Sequence, residues 1–303
     1  MASIINPPSV FSGIWVPLVT PFHHGDIDHG ALRRVVRHCA SGGVAGLAPL
    51  GTTGEPATMD DAEQLAVLDT VLDAAQGLPV MAGLSGVHPG DLLKRLRAFA
   101  ERPIVGVMVS APHYVRPTQQ GIIDHFTRLA DASPVPLVLY DIPYRSGVVI
   151  EVETLLTLAA HPNIRAIKDC GGAPDKTQAL IADGRLAVLT GEDAAVFGAL
   201  CMGAHGAIAA SAHVRPALFV AMHRAIQAER LDEARALFHA LAPLVGTLFD
   251  EPNPCGPKAA LHLMGLIEEG LRSPMTPMSA PGKARLAQAM AALPAWLLGE
   301  IQG

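Results

Sequence analysis

Short apolar runs recur along the first two thirds of the chain, and segments of helical pattern separate them. The runs hardly alternate between apolar and polar positions, as expected for parallel strands that are covered on both faces. The eight runs are 14–20, 44–50, 79–84, 104–110, 136–141, 164–169, 186–190 and 206–210. Between them, apolar residues return at helical spacing, as at Leu65, Leu68 and Leu72. The pattern therefore predicts an α/β protein in which eight strands alternate with helices.

Eight β/α units in about 200 residues are typical of a closed (β/α)8 barrel, or TIM barrel, which is the fold that we predict. An open doubly wound sheet is the alternative, but no G-x-G-x-x-G motif follows the first strand. We expect a barrel domain over residues 1–215. The Ala- and Leu-rich remainder, 216–303, predicts a C-terminal helical extension that helps subunits to associate. The spacing of Thr58 and Asp61 predicts a capping box at the helix after the second strand.

Charge and composition narrow the possible partners and location. The 303 residues carry 22 basic and 28 acidic side chains and no basic run, so we expect no nucleic-acid partner. The longest uncharged stretch, 194–214, is interrupted by Gly and His, which predicts a helix, a turn and a strand instead of a membrane span. The four scattered cysteines predict mostly buried, reduced thiols, and the first ten residues lack a secretory signal pattern. We therefore expect a cytoplasmic protein.

The reactive groups of such a barrel lie at the carboxyl ends of its strands, where Lys168 is the first candidate. Alternation along the sixth run places Ile164, Ala166 and Lys168 on one face, which directs the lysine into the barrel mouth. In a poorly hydrated cavity the pKa of a lysine falls, and its neutral amine can form a Schiff base with a carbonyl compound. The alternative is a lysine that pairs with Asp169 or extends to solvent.

Two further features accompany this lysine. Tyr140 ends the neighbouring strand on the corresponding face, where a phenol could relay protons; the alternative is simple core packing. The loop GTTGE at 51–55 offers hydroxyl and N–H groups to a small carboxylate. Its alternative is a turn in which Thr52 and Glu55 form a capping box.

Other polar residues have structural interpretations. One short turn holds two histidines and two aspartates, but no spaced partner accompanies them, so we expect a solvated turn and no metal site. These residues are His23, His24, Asp26 and Asp28. His205 and His213 are expected to be hydrogen-bonded structural residues. Glu192 and Asp193 could touch polar groups of a substrate, but we expect them to cap the following helix. Cys170 is expected to be a packing residue.

Several motifs together resemble the dihydrodipicolinate synthase family, a group of class I pyruvate aldolases that also includes N-acetylneuraminate lyase. The resemblance covers nearly the whole chain in order. Its segments are TPFHHGDID at 20–28, GTTGE at 51–55, HYVRPTQQGIIDHF at 113–126, LYDIPYRSG at 139–147, IKDCGG at 167–172, TGED at 190–193, GAHGAIAAS at 203–211 and NPCGPKAAL at 253–261. The resemblance implies a Schiff-base lyase that needs no cofactor besides the covalent pyruvate imine.

The resemblance also implies roles for individual catalytic residues. Lys168 matches the lysine that forms the imine with pyruvate, and Tyr140 matches the tyrosine that acts as acid and base above it. Thr52 matches the hydroxyl that links Tyr140 to Tyr114, and Tyr114 enters the site from a neighbouring subunit in this family. The resemblance therefore implies an oligomer, and we expect a homotetramer built from dimers.

Four positions match the substrate-binding residues of the family. Thr53 resembles a ligand of the pyruvate carboxylate, and Gly191 and Ile208 match positions that line the pyruvate pocket. Arg145 matches the arginine that binds the carboxylate of L-aspartate-4-semialdehyde, a task for which the planar guanidinium is suited. Without the motif, a surface arginine in a turn is the favoured interpretation of Arg145. The implied product is 4-hydroxy-tetrahydrodipicolinate, on the path to diaminopimelate and lysine.

Three departures from the family pattern keep other functions open. His113 replaces a common tyrosine, Asp141 replaces a common asparagine, and Tyr144 adds a bulky neighbour to Arg145. Because Asp141 and Tyr144 are expected to flank the aldehyde, a related 2-keto acid aldolase or dehydratase is the alternative enzyme. A hypothesis of another class is a binding barrel that keeps a pyruvate-like pocket without turnover.

Overall fold

A ring of eight parallel strands forms the centre of the structure, a computed structural model that describes residues 10–293. The eight strands of the ring are β1 (Gly13–Val16), β4 (Gly46–Leu47), β5 (Met81–Leu84), β6 (Gly106–Ser110), β7 (Leu137–Asp141), β8 (Ile164–Asp169), β9 (Ala187–Thr190) and β10 (Gly206–Ile208). Two short strands outside the ring, β2 (Phe22–His23) and β3 (Asp26–Ile27), form a separate pair. The order around the ring is β4, β1, β10, β9, β8, β7, β6 and β5. The ring closes where Leu47 N donates to Pro79 O at 2.9 Å and Gly83 N donates to Pro49 O at 2.8 Å. The predicted (β/α)8 barrel is confirmed.

The first two strands of the ring are shorter than the predicted runs. Strand β1 ends at Val16 and β4 ends at Leu47. A proline follows closely in each case, Pro17 after β1 and Pro49 after β4, and proline has no N–H to donate to a sheet. The residues beyond Pro17 instead lead into an antiparallel pair, β2 and β3, that the sequence pattern did not predict.

Helices cover the outside of the barrel and continue into the C-terminal region. They are α1 (His29–Ser41), α2 (Asp61–Ala75), α3 (Pro89–Ala100), α4 (Gln119–Ala132), α5 (Pro143–Ser146), α6 (Val152–Leu158), α7 (Pro174–Asp183), α8 (Val196–Cys201), α9 (Pro216–Gln227), α10 (Leu231–Leu248), α11 (Cys255–Leu263) and α12 (Ala280–Ala291). Helix α9 begins at Pro216, where we expected the extension to start. The stretch 194–214 is the predicted helix, turn and strand, namely α8 and β10.

The expected cap of α2 at Thr58 is wrong. Helix α2 is capped by Asp60, which forms a reciprocal capping box with Glu63. The hydroxyl of Thr58 instead donates to the carbonyl of Glu55 at 2.9 Å, inside a short 3-10 turn that precedes the helix. The Asp60 pair satisfies two backbone N–H groups at once, which explains why the helix begins there.

Alternating strand residues divide the apolar core into two layers. The larger layer lies between the strands and the helices. The smaller fills the barrel interior and includes Trp15, Met108, Val138 and Ala166. The Trp15 indole is fully buried and needs the glycine at position 46, where a Cβ would lie 2.5 Å from its Cη2 atom. A packed interior leaves the carboxyl ends of the strands as the place for a site.

A register shift in β8 corrects one detail of the predicted alternation. Leu137 pairs with Ile164 but Val138 pairs with Ala166, so Arg165 is an extra residue in this strand. Ile164 therefore packs in the outer layer, whereas Ala166 lies inside the barrel. A bulge inserts one residue and shifts the side chains before it to the other face.

Three remaining expectations concern the chain as a whole. Within residues 10–293, no helix is long and apolar enough to cross a membrane. Of the four thiols, Cys201 is exposed, whereas Cys39, Cys170 and Cys255 are buried as predicted. The predicted lack of a secretory signal concerns residues that lie almost entirely outside the described part of the chain, as do the outer ends of the two expected domains.

Candidate active site

A cavity of about 330 Å³ lies at the carboxyl ends of the barrel strands. Seven of the eight predicted site residues line it, and they come from five different strand ends or the loops that follow them. These seven are Thr52, Thr53, Tyr140, Arg145, Lys168, Gly191 and Ile208. The predicted residues are thus brought together although up to 156 positions separate them in sequence, from Thr52 to Ile208.

Lys168 is buried in the wall of this cavity, with 6% of its surface exposed. Its neighbour across the sheet is Tyr140, and the Nζ atom lies 4.4 Å from the centroid of the Tyr140 ring. The carboxylate of Asp169 points to the other side of the strand, where it accepts hydrogen bonds from the Thr177 hydroxyl and from Gly171 N. The alternative in which Lys168 pairs with Asp169 is therefore wrong.

Tyr140 is also buried, at 5% exposure. Burial raises the pKa of its hydroxyl well above the ordinary value, and the Cys170 thiol beside it acts in the same direction. A hydrogen bond with Thr52 and the positive charge of Arg145 oppose this rise in pKa. The phenol is therefore neutral near pH 7 and holds a proton that it can donate.

Gly191 makes room for the lysine. A Cβ atom at position 191 would lie 2.5 Å from Lys168 Cε and still closer to the Cys170 sulfur. The backbone holds the residue in place, because Gly191 N donates to Asp169 O at 2.8 Å. Any side chain at this position would displace Lys168 or Cys170. Cys170 thus packs against the site, as expected, and burial raises its thiol pKa to about 12.

The GTTGE loop forms one wall of the cavity. Thr52–Gly54 is a 3-10 turn, and Thr53 is only 3% exposed. The Thr53 Oγ1 atom accepts a hydrogen bond from Asn253 Nδ2 at 3.0 Å. Glu55 does not form the capping box with Thr52 that the spacing suggested, because its carboxylate forms a buried ion pair with Lys258. The loop is thus attached to the C-terminal region.

Arg145 lies at the exposed rim of the cavity on the short helix α5. Its Cζ atom is 5.7 Å from the centroid of the Tyr144 ring, so the two side chains form a cation–π contact. Both residues line the cavity. A guanidinium at this rim is placed to meet a carboxylate that enters the site.

Tyr114 is the one predicted site residue that does not line the cavity of its own chain. Its side chain is 91% exposed, and its backbone has a positive φ of 72°. Its N–H donates to the carbonyl of Ser146 at 3.2 Å, close to the rim helix α5. The expectation that Tyr114 serves a neighbouring subunit remains a prediction.

Asp141 does not flank the aldehyde side of the cavity, so that expectation is wrong. It is fully buried on the outer side of β7 and forms an ion pair with Lys176 at 2.6 Å. Burial raises the pKa of the Asp141 carboxyl, whereas Lys176 lowers it. Lys176, which also donates to Ile150 O at 2.9 Å, compensates the negative charge of Asp141. A neutral asparagine at position 141 would not need this positive partner.

The predicted structural, hydrogen-bonded role of His205 and His213 is confirmed. His205 Nδ1 accepts from Val188 N and His213 Nε2 accepts from Val19 N, both at 3.2 Å. The predicted capping by Glu192 and Asp193 is wrong, because neither side chain caps the helix that follows. Asp193 accepts instead from the backbone N–H of Ser211, at 2.6 Å, and from its hydroxyl, and burial raises its pKa.

In the turn with two histidines and two aspartates, one aspartate caps a helix. Asp28 caps helix α1 by accepting from Ala31 N at 2.8 Å. Within residues 10–293, no three His, Cys, Asp or Glu side chains are grouped so that they could hold a metal ion.

Among the polar cavity residues, Asn253 was not identified from the sequence, and Asp193 was considered for contact with the substrate but was expected to cap a helix. Both lie inside segments that carry the family resemblance, TGED and NPCGPKAAL. That resemblance was the available signal, but it attached no role to either residue. Their contacts with Ser211 and Thr53 join distant parts of the chain and leave no local pattern.

The fold and the site together define a class of protein: a (β/α)8 barrel with a buried lysine and a neutral tyrosine on adjacent strands, suited to Schiff-base chemistry on a small acid. The Dihydrodipicolinate synthetase family matches residues 10–293, and the chain belongs to this family. It is 38% identical over 273 residues to the 4-hydroxy-tetrahydrodipicolinate synthase of Haloarcula marismortui, which covers 89% of each chain.

Solved structures agree with this assignment. The dihydrodipicolinate synthase of Thermotoga maritima superposes with a TM-score of 0.91 at 31% identity, covering 93% of this chain and 98% of that one. The enzyme of Acinetobacter baumannii, solved in complex with pyruvate, gives a TM-score of 0.90 at 31% identity and the same coverage of the two chains.

Proposed function

We propose that this protein is an enzyme that condenses pyruvate with L-aspartate-4-semialdehyde to give 4-hydroxy-tetrahydrodipicolinate. The observation that carries the proposal is the pair Lys168 and Tyr140, buried together at the barrel mouth of a chain from this family. The pyruvate found in the Acinetobacter baumannii relative supports pyruvate as the first substrate.

The reaction begins with attack of the Lys168 amine on the keto carbon of pyruvate. Loss of water gives the imine, and removal of a proton from its methyl group gives an enamine. The enamine carbon then bonds to the aldehyde carbon of the second substrate, whose oxygen takes up a proton. The amino group of that substrate closes the ring by attacking the imine carbon, which releases Lys168. The covalent imine serves in place of a separate cofactor.

Tyr140 moves the protons in these steps. Its neutral hydroxyl can donate a proton to the departing oxygen when the imine forms and to the aldehyde oxygen when the carbon–carbon bond forms. Thr52 interacts with this hydroxyl, and Tyr114 of a neighbouring subunit would extend the relay to solvent. The 91% exposure of Tyr114 in a single chain supports such a role, and with it a homo-oligomer, for which we propose a tetramer built from dimers.

The substrate-binding roles follow from position in the cavity. Thr53 binds the pyruvate carboxylate from the GTTGE loop, while Gly191 and Ile208 shape the pyruvate pocket. Arg145 binds the carboxylate of aspartate semialdehyde at the rim. Because Asp141 is turned away from the cavity, it gives no reason to prefer another aldehyde.

Two measurements test this proposal. Borohydride added with pyruvate should reduce the imine and leave a pyruvyl-derived adduct on the Lys168 peptide, as detected by mass spectrometry. A second assay supplies pyruvate and aspartate semialdehyde and couples product formation to a reductase that oxidises NADPH. Turnover supports the synthase. An adduct without turnover would contradict aspartate semialdehyde as the substrate, and an unlabelled Lys168 would contradict the Schiff-base mechanism itself.

A further inference from the structure

The connection between α10 and α11 brings Asn253 to the wall of the active-site cavity. Its Nδ2 group donates to Thr53 Oγ1 at 3.0 Å, and both residues line the cavity. An amide nitrogen only donates, so the Thr53 oxygen is the acceptor in this hydrogen bond. The hydroxyl hydrogen of Thr53 therefore remains to be donated elsewhere, and among the described residues it has no acceptor.

A buried ion pair links the helix that follows Asn253 to the GTTGE loop. Lys258 is fully buried, pairs with Glu55, and donates to Gly270 O at 2.7 Å. Glu55 lies two residues after Thr53, and Lys258 lies five residues after Asn253 on α11. Arg272 N adds a hydrogen bond to Glu55 at 3.3 Å. The C-terminal region is thus attached to the loop at two neighbouring points.

The other amide atom of Asn253 indicates that this residue is not there for stability alone. Its Oδ1 atom is buried and accepts no hydrogen bond from the described residues. A buried polar atom without a partner destabilises a fold, and such atoms are uncommon in native proteins. The side chain is therefore placed at a cost in stability, in direct contact with a residue of the substrate cavity.

We propose that Asn253 is a positioning residue for pyruvate: by donating to Thr53, it orients the Thr53 hydroxyl so that its hydrogen is donated to the pyruvate carboxylate. This inference rests on the proposed function in that it takes pyruvate to be the first substrate. It also assigns a role to the C-terminal extension beyond subunit association, because the extension sets the direction of a substrate hydrogen bond.

The test replaces the donor by an acceptor of the same size, Asn253→Asp. The new carboxylate would take the Thr53 hydrogen and would place a negative charge near that of pyruvate. The readout is the pyruvate concentration at which borohydride labels half of Lys168, together with KM and kcat. We expect both this concentration and the pyruvate KM to rise about tenfold or more, with complete labelling at saturation and a smaller change in kcat.

A second variant and a matched control separate positioning from a general effect on folding. Asn253→Ala removes the donor without adding charge, and we expect a smaller rise than for Asn253→Asp. Asn163→Asp makes the same chemical change at the opposite end of the barrel, where Asn163 Nδ2 donates to the carbonyls of Ala130 and Ser133 at 2.9 and 2.8 Å. This control should lower thermal stability and leave the half-labelling concentration unchanged.

Two results would overturn the inference. One is a half-labelling concentration for Asn253→Asp within twofold of the wild-type value, and the other is an equal rise in Asn163→Asp. Failure of the proposed function looks different, because the wild-type protein itself would then give no adduct on Lys168. Labelling needs no second substrate, so the inference is decided even if the aldehyde is not aspartate semialdehyde.

Discussion

Replacing Gly191 by alanine perturbs the reactive lysine with a single methyl group. The new Cβ would lie 2.5 Å from Lys168 Cε and 2.9 Å from Lys168 Cγ, and closer still to the Cys170 sulfur. Carbon atoms pack at about 3.5 Å or more, so the lysine side chain must move by about 1 Å. A displacement of this size at a reacting group costs about a hundredfold in rate. Overpacking of this kind destabilises a fold by about 1–3 kcal/mol.

The assay is the rate of borohydride-trapped adduct formation on Lys168 at saturating pyruvate. We expect Gly191→Ala to slow it about a hundredfold while the protein stays folded, as followed by thermal melting. Gly198→Ala is the matched control, since a Cβ there meets no atom within 4 Å, and it should label at the wild-type rate. The double variant Gly191→Ala/Cys170→Ala removes one of the two clashes and should recover part of the rate. A wild-type labelling rate in Gly191→Ala would refute the packing argument.

Three other changes test separate parts of the structure. Lys168→Ala should abolish the adduct and turnover, and normal turnover in this variant would end the proposed mechanism. Arg145→Ala should raise the KM for aspartate semialdehyde about 10- to 100-fold and leave the pyruvate KM unchanged, because a charged hydrogen bond is lost at the rim only. An unchanged KM for the aldehyde would show that Arg145 has no part in substrate recognition. His125 has its pKa lowered to about 4 by burial, so it is neutral in the folded state, and stability is lost as pH falls from about 6.5 toward 4. In urea unfolding, the free energy of unfolding of the wild type should fall by about 2 kcal/mol more than that of His125→Leu between pH 7 and pH 5. An equal fall in both proteins would contradict a buried neutral His125.

The strand order and the two reactive residues were accessible from the sequence because their signals are local. All eight strands of the barrel appear as short apolar runs, and Tyr140 and Lys168 stand near the ends of two of them. A strand alternates its side chains between two faces, so a few residues suffice to predict that these two groups point into the barrel. The bulge at Arg165 shows the limit of this reasoning, since it moved Ile164 to the other face.

Local spacing was misleading where several partners competed for one side chain. Thr58 and Thr52 each had the spacing of a capping box, but Asp60 caps α2 and Glu55 pairs with Lys258. Glu192 and Asp193 were expected to cap a helix, whereas Asp193 binds Ser211. Such choices depend on which groups are buried beside each other, and this is not encoded within a few residues.

The sequence by itself determined the order of the elements, the closed barrel and the identity of the lysine and tyrosine, because periodicity and strand ends are properties of short segments. Only the tertiary structure decided that Lys176 neutralises Asp141 away from the cavity and that Asn253 reaches Thr53. These pairs join residues 35 and 200 positions apart. Their contacts exist only after the barrel has closed and the C-terminal helices have packed against it, since burial then favours the pairing of polar groups.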